Sequence, residues 1–163
     1  MAQTDLHKYT VQEKLNKMDI DLIQVEIDDA TTGSIGVDDL LADTRAIPNA
    51  VANNGDCAIL QSMSVVCKTD TNTDPVKVVF TSNDTAFASI GDTHAKDILG
   101  FLTINKNQTV PASAASSFGS LDNIGLVLKA KADERSVYFY VLSGGTTTYS
   151  DDDLIFNFGI MKD

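Results

Sequence analysis

The chain has no tryptophan, two histidines and two cysteines among its 163 residues, and each scarcity removes a class of function. A carbohydrate-binding module stacks sugars on exposed aromatic platforms, and tryptophan is the side chain such platforms are usually built from. Zinc needs three or four nitrogen or sulfur ligands, and His7, His94, Cys57 and Cys67 form no close pair along the sequence. Nucleophilic catalysis needs a His oriented on a Ser or Cys, yet neither His lies beside a Gly-Xaa-Ser-Xaa-Gly elbow, and the chain contains no such motif. Phosphate loops are Gly-rich turns that open a helix. Here Gly33-Ser34-Ile35-Gly36 and Gly144-Gly145 precede strands or turns. The expectation is therefore a protein that is not an enzyme, with no catalytic, cofactor-binding or metal-binding residue and no cofactor.

Positive charge is also scarce. Twelve Lys and Arg stand against 23 Asp and Glu, a net charge of −11, and no basic cluster interrupts the excess. Nucleic-acid affinity rests on Lys and Arg neutralising phosphates, so nucleic acid is not an expected partner. No stretch approaches the roughly 20 apolar residues that cross a bilayer, and Met1 to Lys8 lacks the apolar core of a secretory leader. No membrane partner is expected, and synthesis in a cytoplasm is. Glutamate itself is rare, being confined to Glu13, Glu26 and Glu134. Asp bonds its own backbone and favours turns and caps over helix interiors, so an Asp-rich chain suits a β-fold with many loops.

What the chain does have is short alternating apolar runs broken by Gly, Asp, Asn and Thr. Val137-Tyr138-Phe139-Tyr140-Val141-Leu142 and Leu154-Ile155-Phe156-Asn157-Phe158 are the clearest, and Gly145 to Phe158 reads as a closing hairpin. Ile23, Val25 and Ile27 alternate with Gln24, Glu26 and Asp28, a strand with one wet face. Asp56 to Thr69 carries apolar residues on both faces, as a central strand does. Val76 to Thr81, Phe101 to Asn105 and Ile124 to Lys131 read as further strands, and Arg45 to Val51 as extended because of Pro48. Asp92 to Leu99 has the pattern of a short helix capped by Asp92 and ended by Gly100. The pattern predicts an all-β fold, an antiparallel β-sandwich over residues 21–163.

Residues 1–20 differ. Val11, Leu15 and Met18 form one stripe at helical spacing, and Thr10 with Glu13 makes a capping box. This predicts a short N-terminal helix or arm, marginal alone, that packs on the domain or orders on a partner. Cys57 and Cys67 lie ten residues apart in one predicted strand, roughly 33 Å at the rise of β-structure, beyond the reach of a disulfide. Two buried free thiols are expected. Tyr138 and Tyr140 face away from Val137, Phe139 and Val141, so both sides of that strand are apolar and a neighbouring subunit is expected to cover the outer one.

Acidic clusters invite a calcium reading. Asp70-Thr71-Asn72-Thr73-Asp74 matches the first five positions of a calcium loop, but Pro75 stands where the sharp Gly turn belongs and Thr81 where a bidentate Glu is needed. A turn-rich hairpin loop explains it better. Asp151-Asp152-Asp153 reads as a solvated turn, and Asp19 with Asp21 as a charged edge.

Several segments occur in a familiar order: Ala46-Ile47-Pro48-Asn49-Ala50-Val51, Ala58-Ile59-Leu60-Gln61-Ser62, Val78-Val79-Phe80, Ile98-Leu99-Gly100, Asn123-Ile124-Gly125-Leu126 and Gly145 to Phe158. Over residues 46–163 the chain resembles small virion structural proteins of tailed bacteriophages, including head decoration (cement) proteins. The resemblance implies a jelly-roll-like sandwich that forms a homotrimer, binds the major capsid protein on the outer capsid surface and has no catalytic residues to carry over. Other phage roles (head fibre base, tail adaptor, receptor-binding part) and, from a different class, a glycan-binding module are the alternatives.

Overall fold

The computed structural model describes residues 19–27, 30, 35–68, 74–86, 94–106, 108–109, 116–146, 149 and 154–162. The predicted N-terminal helix and the Asp70 to Thr73 and Asp151 to Asp153 segments lie outside them. Among the described residues nine strands follow in chain order: β1 (Asp19–Ile27), β2 (Leu40–Ile47), β3 (Cys57–Cys67), β4 (Val76–Thr81), β5 (Ile98–Ile104), β6 (Gln108–Thr109), β7 (Ser117–Lys129), β8 (Val137–Ser143) and β9 (Leu154–Lys162). They form a five-stranded sheet, β1-β9-β3-β7-β6, and a four-stranded sheet, β2-β8-β4-β5, with every pairing antiparallel.

The pairing is nested. First meets last in β1–β9, and then come β2–β8, β3–β7 and β4–β5. A long ribbon doubled back on itself between β4 and β5 has this pattern, rolling it up adds β3–β9 and β4–β8, and the short β6 pairs with β7 at the sheet edge. That is a jelly roll. The predicted β-sandwich is present, but two predicted hairpins are not. β8 and β9 belong to different sheets, as do β3 and β4, so neither pair forms a hairpin. Local turn chemistry predicts a turn, while the choice of partner strand depends on residues far away in sequence.

The inner faces make one core. Phe80 and Phe139 from the four-stranded sheet meet Phe156 and Phe158 from the five-stranded one, with Phe139 centred 5.0 Å from Phe158 and 5.5 Å from Phe156. These edge-on contacts suit the ring quadrupoles. In β3 the buried positions switch from Ala58 and Leu60 to Met63, Val65 and Cys67, and the register with both neighbours slips between Leu60 and Ser62. A bulge therefore explains the two-faced apolar pattern, because one extra residue reverses the alternation. It also sends the two cysteines to opposite faces: Cys67 is buried, but Cys57 is exposed, contrary to expectation.

Two other expectations are corrected. Of the predicted helix Asp92 to Leu99, the first two residues lie outside the described ones; among the rest Ala95–Asp97 coils, as a single 3-10 turn, while Ile98 and Leu99 begin β5. Gly100 ends no helix. It lies within the strand, where a Cβ would meet Leu126 Cδ1 of the opposite sheet at 2.8 Å, so it permits close approach of β5 to β7. The extended run predicted around Pro48 stops at Ile47, and Pro48-Asn49 turn, with Asn49 at φ 52°.

Candidate interaction surface

The connections after β2, β4 and β7 gather at one end of the sandwich and are well bonded there. The Val51 and Gly55 amides donate to the Arg135 and Glu134 carbonyls, and the Ala130 amide donates to the Asp56 carbonyl. Asn54 donates to the Asp133 carbonyl, and the Lys131 ammonium to Asn83 Oδ1 at 2.7 Å. Tyr138 donates to Glu134 at 2.7 Å. That hydrogen bond, reinforced by burial and by the charges of Glu134, Asp84 and Asp133, pushes the phenol up to about 12. These contacts tie the three connections to one another.

The residues weighed above as metal or catalytic candidates, and set aside there, lie apart where they are described. Cys57 and Cys67 stand at opposite ends of β3, and His94 precedes the 3-10 turn with its carbonyl accepting from the Asp97 amide. Asp74 Oδ2 accepts from the Thr146 amide at 3.1 Å. Asp21 is paired with Lys162. Among the described residues no three His, Cys, Asp or Glu side chains gather in a way that could hold a metal ion. His7 lies outside them.

The surface is more informative. On the outer face of the five-stranded sheet, Ile20 of β1 lies opposite Met161 of β9, which lies opposite Ile59 of β3, which in turn lies opposite Val127 of β7. These four side chains make an apolar row across four strands, about 14 Å at the usual strand spacing. Its two ends are open: Ile20 is 66% and Val127 54% exposed. In the next row Leu22 faces Gly159, which has no side chain to cover it, and Leu22 is 75% exposed. Polar residues follow, with Gln24 donating to Asn157 and Asn157 to Ser64, each at 3.3 Å.

The four-stranded sheet has an outward row as well: Tyr140, Val79 and Phe101, on β8, β4 and β5. Tyr140 is buried at 4% exposure, and that desolvation raises its phenol pKa. The chain supplies cover itself. The segment after β4 reaches back across β8 to β2, where Thr44 donates to the Thr85 carbonyl at 2.8 Å. The neighbouring subunit expected over this strand is thus not needed to bury Tyr140, whereas Phe101 at the sheet edge stays 70% exposed.

Sequence reasoning missed Lys106. It is fully buried, its ammonium donating to Tyr149 Oη at 2.8 Å and lying 4.5 Å from the centre of that ring. A lysine between two asparagines reads as a solvated loop, and no local pattern distinguishes it.

No protein family matches the chain, and no curated protein does. Solved structures similar to it include a virus-like particle of the nodavirus of the giant freshwater prawn Macrobrachium rosenbergii, at 9% identity and a TM-score of 0.34 over 88% of this chain and 93% of that one. Desmodium yellow mottle tymovirus is similar at 16% identity and a TM-score of 0.29, over 99% and 94%. The K3 adhesin domain of the Lys-gingipain of Porphyromonas gingivalis is similar at 10% and 0.32, over 81% and 72%. Scores at this level carry no inference about what this chain does, and its fold assignment rests on its own strand order.

Proposed function

We propose that the chain is a non-enzymatic virion structural protein of a tailed phage, a trimeric head decoration (cement) protein that binds the major capsid protein from outside the shell. The observation that carries this reading is the apolar outer row from Ile20 to Val127, with the open Leu22 beside it, on a protein that is otherwise strongly acidic. Exposed apolar side chains gathered in one place favour contact with other protein, and a net charge of −11 opposes contact with packaged nucleic acid. The order of segments over residues 46–163, which resembles decoration proteins, adds the location. Many copies of a modest contact on a symmetric lattice add up through effective concentration.

The test is to mix the purified protein with undecorated heads and follow their sedimentation and melting. Binding in hundreds of copies together with a higher melting temperature is the expected result. Failure to bind, or binding as a few copies at a vertex or tail, removes the decoration role.

A further inference from the structure

We infer that β1 is a docking edge for a second copy of this chain, the two β1 strands pairing antiparallel about a two-fold axis at Leu22 so that their five-stranded sheets continue into one another. The argument starts from the sheet edges. An exposed edge offers unpaired N–H and C=O groups, and natural sheets blunt such edges with short strands, bulges, Pro, Lys or cover from another element. Among the described residues three of the four edges are blunted. β6 has two residues, β2 is interrupted by two register shifts, and β5 is drawn against β7 where Leu126 packs on Gly100.

β1 is different. It has nine residues, no Pro, Gly or Lys, and an unbroken register with β9 from Asp19 to Ile27. Among the described residues its backbone is bonded to β9 alone. Its inward acid, Asp21, would ordinarily discourage pairing, but Lys162 neutralises it.

The sequence of β1 specifies what pairs with it. With Leu22 opposite Leu22, Ile20 faces Gln24, Asp21 faces Ile23, and Asp19 faces Val25. No acid meets an acid, which matters for two chains each carrying −11, and like charges directly opposite are destabilising. Parallel in-register pairing would set Asp19, Asp21 and Glu26 each against its own copy. The antiparallel register also gives Leu22, 75% exposed and backed on its other side only by Gly159, an apolar neighbour. An interface of this kind is isologous and closes as a pair. It does not depend on the decoration reading, and it differs from whatever contact makes a three-fold assembly.

Leu22→Cys and Ile20→Cys, each in a Cys57→Ser background, test the register. Opposed residues have Cβ atoms about 4.5–5.5 Å apart, so Leu22→Cys is expected to form an intermolecular disulfide on mild oxidation. The two copies of residue 20 would lie four residues apart along the strand, about 13 Å, too far for a disulfide, and Ile20→Cys is expected to stay reduced. Leu22→Lys is expected to halve the solution mass of the otherwise unmodified chain without lowering its melting temperature. Equal cross-linking of both cysteine variants, no cross-linking of either, or an unchanged mass for Leu22→Lys would overturn the inference. So would a wild-type chain of single mass whose β1 amides resist hydrogen exchange, because another segment of the same chain would then occupy the edge.

Discussion

Tyr138 shows how one hydrogen bond sets a pH limit. Its phenol donates to Glu134, and the neighbouring carboxylates disfavour a second negative charge, so the proton is held up to about 12. The unfolded chain releases that proton near the ordinary value of about 10. The folded state therefore binds it more tightly, and the stabilisation is complete below pH 10 and lost as pH rises through 12. Absorbance at 295 nm is expected to show a tyrosine titrating late in the native protein, and Glu134→Gln should move it down. A wild-type protein whose tyrosines all titrate near 10 would contradict the assignment. Lys106 is the second residue whose role is set by its surroundings. Tyr149 supplies a hydroxyl acceptor and a ring face to a fully buried ammonium. Hydrogen bonds to charged groups contribute about 1.5–3 kcal/mol, so Tyr149→Phe is expected to lower the unfolding free energy by about that much in urea titrations. An unchanged midpoint would show that other contacts of Lys106 satisfy it.

Among the elements, β3 and β7 show where strand periodicity stops being sufficient. β3 was legible as a central strand, and its bulge was not, because an extra residue leaves only a switch from even to odd apolar positions that a two-faced strand also shows. In β7 the pairing advances four residues, Asp122 to Leu126, while β3 advances two, and Asn123 and Gly125 sit at φ 57° and 70° within the extra stretch. The predicted alternation of Ile124, Leu126 and Leu128 against Gly125, Val127 and Lys129 is present, starting within that stretch and continuing past it, with Leu128 buried and Val127 exposed. Earlier in the strand, Gly119 allows the chain leaving β5 to cross beneath β7: a Cβ there would lie 2.3 Å from the Asn105 carbonyl oxygen. A backbone carbonyl cannot swing aside as a side chain can. Gly119→Ala is expected to cost about 1–3 kcal/mol, the range for overpacking, read as a lower urea midpoint with unchanged slope. A neutral substitution would mean that this crossing is looser than it looks.

At the scale of the molecule the nested pairing sets the folding problem. Gln24 donates to Asn157, 133 residues away in sequence, and the edge strand β1 cannot pair until β9 exists. Closing such long loops before their contacts form is entropically costly, and folds dominated by non-local pairs are slow. Refolding by stopped-flow dilution is expected on the scale of milliseconds to seconds or longer, and a microsecond phase carrying the whole amplitude would contradict this. The same nesting leaves the two sheets with four edges and an outer face that carries an apolar row, the features on which both proposals rest.

The alternation of apolar and polar residues, the scarcity of Glu and the turn residues between runs were enough to establish a β-sandwich, because burial on a pleated strand depends on a period of two that is written locally. The strand Val76–Thr81 was legible to the residue, and the wet and dry faces of β1 were legible from the same alternation. Which strands are neighbours depended on long-range closure, and that separated β8 from β9 and β3 from β4. The apolar row from Ile20 to Val127 joins side chains from four strands scattered over more than a hundred residues. No window of sequence contains it; only the rolled-up ribbon, in which strand order is set by packing the doubled chain around a single core, brings them side by side.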